Sequence, residues 1–358
     1  MTITCVVMAG GKGERFWPKS RTNLPKQFLS ISGNKSMIQQ SIARLEKLVD
    51  IDKIFVVTNE LYAELIHAQI PHLPKENIII EPVGRNTAPC VGLASIIIEE
   101  RYPDSTMIVI PSDHIIQNDI GFLNILRTSV DVAKVKGNLV TLGIKPTYPE
   151  TGYGYIESAE EVIPLNGFEV YRVNRFVEKP DHSTAQRYLD SGNFYWNSGI
   201  FVWRIDSIRH YIRELMPDLH DVLETIKAGF ISKDRAEVIR SEFIKMPDQS
   251  IDYGIMEKAD NIYVIPCVFG WDDVGSWTAL DRISERDENG NVIKGNILNL
   301  DTKRCIIESD GKLIATLGVE DLIIVDTEDV TLICSKDKAQ EVKMLLKELR
   351  EQKRDHYL

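Results

Sequence analysis

Cysteine is scarce in this chain. The five residues, at 5, 90, 267, 305 and 334, are odd in number and hold no C-x-x-C pair. That excludes a disulfide framework or a zinc knuckle as first readings and fits a reducing compartment. Positive charge is short as well: 42 Lys and Arg stand against 53 Asp and Glu, a net −11. A chain without a basic excess is ill suited to gripping nucleic acid by its backbone. No apolar run approaches the ~18 residues of a membrane span. Met1-Thr2-Ile3-Thr4 enters an apolar run with no basic flank, unlike a secretory leader. The seven histidines (67, 72, 114, 182, 210, 220, 356) form no H-E-x-x-H or H-x-H group, and no Ser-His-Asp or Cys-His set stands out. The expectation is a soluble, cytoplasmic protein with neither nucleic acid nor membrane as partner.

The chain does have length and alternation. Its 358 residues suit one large domain plus a smaller one. Strand-like apolar runs at Cys5–Met8, Ile54–Val57, Ile78–Ile80 and Met107–Ile110 alternate with helical spacing at Met37–Leu48 and Ala88–Glu100. That alternation predicts an α/β domain with a mostly parallel sheet. Ligands of such sheets gather at the carboxyl ends of the strands. Polar clusters fall there: Gly10-Gly11-Lys12-Gly13, Glu81-Pro82 and Pro111-Ser112-Asp113. From Thr151 to Trp203 the pattern turns strand-rich, and helices are expected at Asp206–Leu215 and Lys233–Phe243.

A polar run, Arg286-Asp287-Glu288-Asn289-Gly290-Asn291, reads as a linker between a first domain over 1–285 and a second over 286–358. Beyond it, short apolar runs recur at Val292–Leu298, Cys305–Ile307, Leu313–Thr316, Leu322–Val325 and Val330–Cys334, a small all-β module. An amphipathic helix through Val342, Leu345, Leu346 and Leu349 closes the chain.

The stretch from Ala9 to Phe28 carries the most chemistry. A Gly-rich turn after a buried strand lets backbone N–H groups approach phosphate closely. No GK[ST] follows, so it is not a P-loop, and Phe16 occupies the last glycine position of a dinucleotide fingerprint. That absence counts against a dehydrogenase. Lys12, Arg15, Lys19, Arg21 and Lys26 crowd fifteen residues against the single Glu14, which on an acidic chain reads as a polyphosphate site.

Gly10-Gly11-x-Gly13-x-Arg15 with Pro25-Lys26-Gln27 resembles the signature of the sugar-1-phosphate nucleotidyltransferases. Phe16-Trp17-Pro18-x-Ser20-Arg21 and Pro25-Lys26-Gln27-Phe28 resemble, within that family, the guanylyltransferases of mannose-1-phosphate. Further blocks follow in the family's order: Glu81 to Pro89, Pro111 to His114, Thr151 to Ile156, Phe176 to Pro180, Trp196 to Phe201, Ser250 to Lys258 and Gly270 to Trp277. The resemblance implies a Rossmann-like, mostly parallel mixed sheet with a small C-terminal left-handed β-helix-like module. It implies transfer of GMP from GTP to mannose-1-phosphate, giving GDP-mannose and pyrophosphate with Mg²⁺. A homodimer is the expected assembly. Longer relatives carry a fused isomerase, and a chain of this length is expected to hold the single activity. Other hexose-1-phosphates or bases, or a regulatory subunit without turnover, are the alternatives.

Roles follow from the resemblance and the chemistry. A phosphate monoester is largely dianionic at neutral pH, so in-line positioning and charge neutralisation are needed rather than a general base. Lys26 is expected as a mobile point charge on the α-phosphate, and Arg15 as a fork for the β- and γ-phosphates. Gly10, Gly11, Gly13, Glu81, Gly84 and Asn86 would bind the nucleotide; Gly154, Glu178, Lys179 and Asn197 the sugar phosphate. Asp113 and Asp273 would hold Mg²⁺. Asp272 is adjacent, and Asp273 is chosen because Val274-Gly275 follow it as in the family. His114 is expected to be structural or to support a ligand. Glu81 could accept from guanine N1–H and N2–H together, or instead cap Arg85 while backbone amides read the base.

Overall fold

The computed structural model describes residues 2–231 and 234–358. Contacts gather the chain into two compact units, and neither is continuous in sequence. One comprises the chain up to Gly10, Ile42–Ser112 and Ile116–Trp271; the other comprises Gly11–Ser41, Asp113–Ile115 and Asp272–Leu358. The contacts therefore do not partition the chain at 285/286.

The first unit is built on one nine-stranded sheet. Its strands are β1 (Ile3–Met8), β2 (Ile54–Asn59), β3 (Ile78–Glu81), β4 (Thr106–Pro111), β5 (Leu139–Ile144), β6 (Tyr155–Leu165), β7 (Phe168–Val177), β8 (Phe194–Arg204) and β9 (Ile262–Cys267). They lie in the order β3-β2-β1-β4-β8-β5-β9-β7-β6. The β3-β2-β1-β4 part is wholly parallel, with Cys5 opposite both Ile54 and Ile108. In β1, β2 and β4 these are short continuous apolar runs, as strands buried on both faces require, whereas β3, at the sheet edge, leaves Ile80 exposed. β8 enters antiparallel between β4 and β5, so the sheet is mixed beyond that point. A helix over Thr87–Arg101 fills the core against Val6, Phe55, Val57 and Val109. Gly92 lies within it, where a Cβ would come within 2.9 Å of Leu223. The expected helix at Lys233–Phe243 is described as Arg235–Phe243, and Lys233 lies outside the described residues, as does Met1 of the N-terminal reading.

In the second unit, Val292–Lys294, Ile306–Ser309 and Leu322–Asp326 stack in parallel, and Thr331–Ser335 closes the stack antiparallel. Ile297–Leu300 pairs in parallel with Ile314–Leu317. Successive parallel rungs joined by short turns make the module β-helix-like. The run read as Val292–Leu298 is two strands. Gly295 separates them at φ +102, in contact with the Ser309 backbone so close that a Cβ would lie 2.3 Å from its oxygen.

The polar run at 286–291 is not a loose linker. Asn291 is fully buried; its amide donates to Asp287 (3.0 Å) and to the Thr302 carbonyl (2.8 Å), and its oxygen accepts from Cys305 N (2.8 Å). Polar side chains here replace backbone partners inside a fold, which composition alone reads as solvation. The C-terminal helix, Val342–Glu351, buries Val342 and Leu346 in a core shared with Phe16, Trp17, Trp277 and Val292. Among the described residues, no helix is long and apolar enough to cross a membrane.

Candidate active site

The Gly-rich loop is held by its own neighbours in the second unit. Phe16 and Trp17 are buried, and the Phe16 and Trp277 rings lie 5.0 Å apart. Trp277 Nε1 donates to the Trp17 carbonyl (3.0 Å), and Gln27 Nε2 donates to the Gly11 carbonyl (2.9 Å). Gly13 sits at φ +60, where a Cβ would lie 2.3 Å from Lys26 Cβ. Only glycine permits both that backbone and that approach.

Lys26, Arg15, Gly13, Asp113 and Asp273 line one cavity of about 370 Å³, together with Lys12, Glu14, His114 and Lys343. Lys26 is 5% exposed. Its ammonium reaches Asp113 Oδ2 (2.6 Å) and donates to the carbonyls of Asp273 (2.8 Å) and Val274 (3.1 Å). An ammonium has three donors, and here each has an acceptor. The expected mobile charge is thus a clamped one, because a buried cation needs full pairing. Val274 stands at φ +48. That is rare for a β-branched residue and costs of order 1–3 kcal/mol. The turn carries the two carbonyls that Lys26 takes up.

Asp113 feels opposing forces. Burial raises its pKa, but the Lys26 ammonium and His114 outweigh that and hold the carboxyl below its ordinary value. Burial lowers the pKa of His114, against the pull of Asp113 and Asp273. Asp272 does not line the cavity: it is bound by Arg282 at 2.6 and 3.0 Å and accepts from Val274 N. Lys19 and Arg21, counted above among the phosphate-binding cations, also leave the site. Lys19 pairs with Glu308 (3.2 Å) and Asp310, and Arg21 with Asp329 (2.7 Å) and the Tyr357 carbonyl (2.7 Å). They tie the loop to the β-module instead.

The chemistry of the donor set fits Mg²⁺. Asp113 and Asp273 offer carboxylate oxygens on one cavity, while no group of three or more His, Cys, Asp or Glu able to hold a metal occurs among the described residues. A hard cation that arrives with phosphates needs only one or two carboxylates.

In the first unit, Glu81 ends β3 and is 6% exposed. Its Oε1 has no hydrogen-bond partner among the described residues, and burial pushes its pKa up to about 8. Gly10 leaves it room: a Cβ there would lie 3.2 Å from Glu81 Oε2. Arg85 does not take up Glu81 but donates to the Ile244 carbonyl (2.7 Å). Asn86, at φ +68, spends its side-chain oxygen on the Thr87 N–H (3.0 Å) as a helix cap. Around Gly84 there is open space for a Cβ, and neither Gly84 nor Asn86 joins the clusters described here.

Gly154, Glu178, Lys179 and Asn197 do come together. A Cβ on Gly154 would lie 2.4 Å from Glu178 Oε2 and 3.5 Å from Asn197 Cβ. Lys179 pairs with Glu178 (2.7 Å), and Asn197 Nδ2 donates to Asp252 Oδ1 (2.7 Å). Sequence reasoning gives Asp252 no role, although it lies in the block Ser250 to Lys258. Burial, opposed by the Asn197 hydrogen bond and aided by Glu178, lifts its pKa to about 6. The cluster is a small polar cradle with two carboxylates, an amide and a lysine, suited to hydroxyls and one anion. A larger cavity of about 640 Å³ is lined by Ile78, Ile80, Ile97 and Ile239 together with charged side chains, among them Glu76, Glu100, Arg101 and Arg235.

Residues 4–290 match the model of the nucleotidyl transferase family, and residues 295–349 match that of the MannoseP isomerase/GMP-like β-helix domain. The chain belongs to the nucleotidyl transferase family and is an enzyme. Its curated relatives carry a narrower name. It is 41% identical to mannose-1-phosphate guanylyltransferase 2 of Escherichia coli O157:H7, over 99% of this chain and 75% of that protein. A mannose-1-phosphate guanylyltransferase of Klebsiella pneumoniae is also 41% identical, over 98% of this chain and 75% of its own. A crystal structure described as mannose-1-phosphate geranyltransferase from Thermus thermophilus is 34% identical. It superposes with a TM-score of 0.88 over 98% of this chain and 100% of that one.

Proposed function

We propose that this enzyme transfers GMP from GTP to mannose-1-phosphate, giving GDP-mannose and pyrophosphate. The observation that carries the reading is the cavity in which Lys26, clamped by Asp113, meets Lys12, Arg15 and Asp273, in a chain 41% identical to enzymes of that name. Lys26 would offset charge at the α-phosphate during in-line attack, exchanging a present acceptor for a phosphate oxygen. Arg15 would hold the terminal phosphates, and Gly11 and Gly13 would let backbone N–H groups approach them. Bound Mg²⁺ would neutralise phosphate charge, held by Asp113 and Asp273. Glu81 would read guanine beside Gly10, with Gly84 and Asn86 shaping the loop that follows. Glu178 and Asn197 would accept and donate to sugar hydroxyls beside Gly154, and Lys179 would meet the sugar phosphate. Asp252 would orient Asn197.

The direct test is to incubate the chain with Mg²⁺, each nucleoside triphosphate and several hexose-1-phosphates and to measure pyrophosphate release. Fastest release with GTP and mannose-1-phosphate is expected. Release with no pair, despite binding of a sugar nucleotide, would instead mark a regulatory protein.

Two further results are expected. Asp273→Asn should raise the Mg²⁺ concentration for half-maximal rate and recover with excess Mg²⁺. Asp272→Asn should lower Tm, by weakening the Arg282 pair, with an unchanged Mg²⁺ requirement; the reverse pattern would exchange the two roles. Lys179→Ala should raise KM for the sugar phosphate about tenfold, as loss of one charge-assisted contact implies, with KM for GTP little changed. A rise confined to GTP would move this lysine to the triphosphate.

A further inference from the structure

The C-terminal helix, Val342–Glu351, does more than cover the β-module. Its second residue, Lys343, borders the same cavity as Lys12, Arg15 and Lys26. Lys343 makes no ion pair or hydrogen bond among the described residues. Seven residues on, Arg350 donates to Glu14 Oε1 at 2.7 Å, and Glu14 also lines the cavity. Positions 343, 346 and 350 share one helix face. Leu346 between them is 4% exposed and packs in the core with Phe16 and Trp17. The helix backbone is therefore fixed against the loop.

These contacts act together on the cavity's charge. Lys343 adds a cation. Arg350 occupies the one carboxylate that the Gly-rich loop would otherwise turn against an anion. Lys26 is buried and clamped, whereas Lys343 is exposed at the rim. A buried cation suits the reacting phosphorus, and an exposed one suits the end of the ligand that must leave to solvent.

Building on the function proposed above, we propose that Lys343 binds the terminal phosphates of the triphosphate, the part released as pyrophosphate. Arg350 is a positioning residue that keeps Glu14 from competing. The C-terminal helix is thereby part of the nucleotide site.

The test uses the full chain and inorganic pyrophosphate as probe, by titration calorimetry with Mg²⁺, alongside steady-state kinetics. Lys343→Gln should weaken pyrophosphate binding and raise KM for GTP roughly three- to tenfold, the range for one partly exposed charged contact. KM for mannose-1-phosphate and the saturated rate should not change. Lys347→Gln, one turn further along the helix and outside the cavity, is the control and should bind pyrophosphate as the wild type does. Arg350→Gln should weaken pyrophosphate binding, and the double variant Glu14→Gln/Arg350→Gln should restore it. A Lys343→Gln protein that binds pyrophosphate like Lys347→Gln would show a merely solvated lysine and overturn the proposal. Failure of the double variant to restore binding would make Arg350 a fold contact only. A wild type that releases no pyrophosphate from GTP would sink the function reading, while the pyrophosphate titration would still decide the role of Lys343.

Discussion

Replacing Lys26 by Met is expected to leave a folded protein whose turnover is lower by roughly 10²–10³, the loss seen when one preorganised electrostatic contact is removed. Methionine keeps the apolar stem in a site where only 5% of the lysine is exposed. What it removes is the ammonium shared by Asp113 and the carbonyls of Asp273 and Val274. Two carbonyls lose a donor, at about 1–3 kcal/mol for each group left unsatisfied, so Tm should fall. Asp113 keeps a third of its side chain exposed (34%) and can turn to water. Stability and chemistry are separable here: Tm reports the clamp, and single-turnover GMP transfer reports the charge. GTP affinity should suffer less than turnover. A purified variant with near-normal single-turnover rates would remove Lys26 from the catalytic machinery.

Glu81→Gln should change which base is used, and at which pH. Guanine presents N1–H and N2–H side by side; a carboxylate accepts both, and an amide accepts only one. Hydrogen bonds to a charged group contribute about 1.5–3 kcal/mol each, so kcat/KM for GTP should fall tenfold or more, with ATP and UTP little affected. The sign of the pH effect follows from burial. Without ligand, Glu81 has a pKa of about 8, so near pH 7 it is mostly protonated. Two guanine donors favour the carboxylate and lower that pKa, so GTP binding below about pH 8 must release a proton. Affinity should therefore rise with pH, by up to about tenfold per unit, and level off above 8. Calorimetry in two buffers of different ionisation enthalpy measures the proton directly. The Gln variant should lose this component, which separates it from titration of the triphosphate itself. An unchanged preference for GTP would mean that the base is read elsewhere.

Much of the architecture is legible as local pattern. The runs at Cys5–Met8, Ile54–Val57, Ile78–Ile80 and Met107–Ile110 fall within β1 to β4; in β1, β2 and β4 the reason is that strands buried on both faces must be continuous apolar runs. The final helix is legible from its apolar stripe. The antiparallel entry of β8 between β4 and β5 is not, since pairing partners lie far apart in sequence and leave no local mark. The hydrogen bonding of the polar run at 286–291 is hidden from sequence for a related reason. Asn291 is polar and fully buried, and only its partners Thr302 and Cys305 distinguish it from a solvated loop residue.

The sequence by itself determined the kinds of chemistry present: a Gly-rich turn after a strand, cations dense around it, carboxylates at strand ends and turns, and no acid–base or thiol apparatus to suggest another mechanism. Tertiary structure decided which of those charges face a cavity. Lys12, Arg15 and Lys26 do, whereas Lys19 and Arg21 are claimed by Glu308, Asp310 and Asp329. Asp273 does, whereas its neighbour Asp272 is claimed by Arg282. Lys343, far from every recognised motif, joins them. The physical reason is the same in each case. A side chain's charge is intrinsic, but what that charge can act on depends on its counter-ion and its access to solvent. Both are set by residues that only the folded chain brings near.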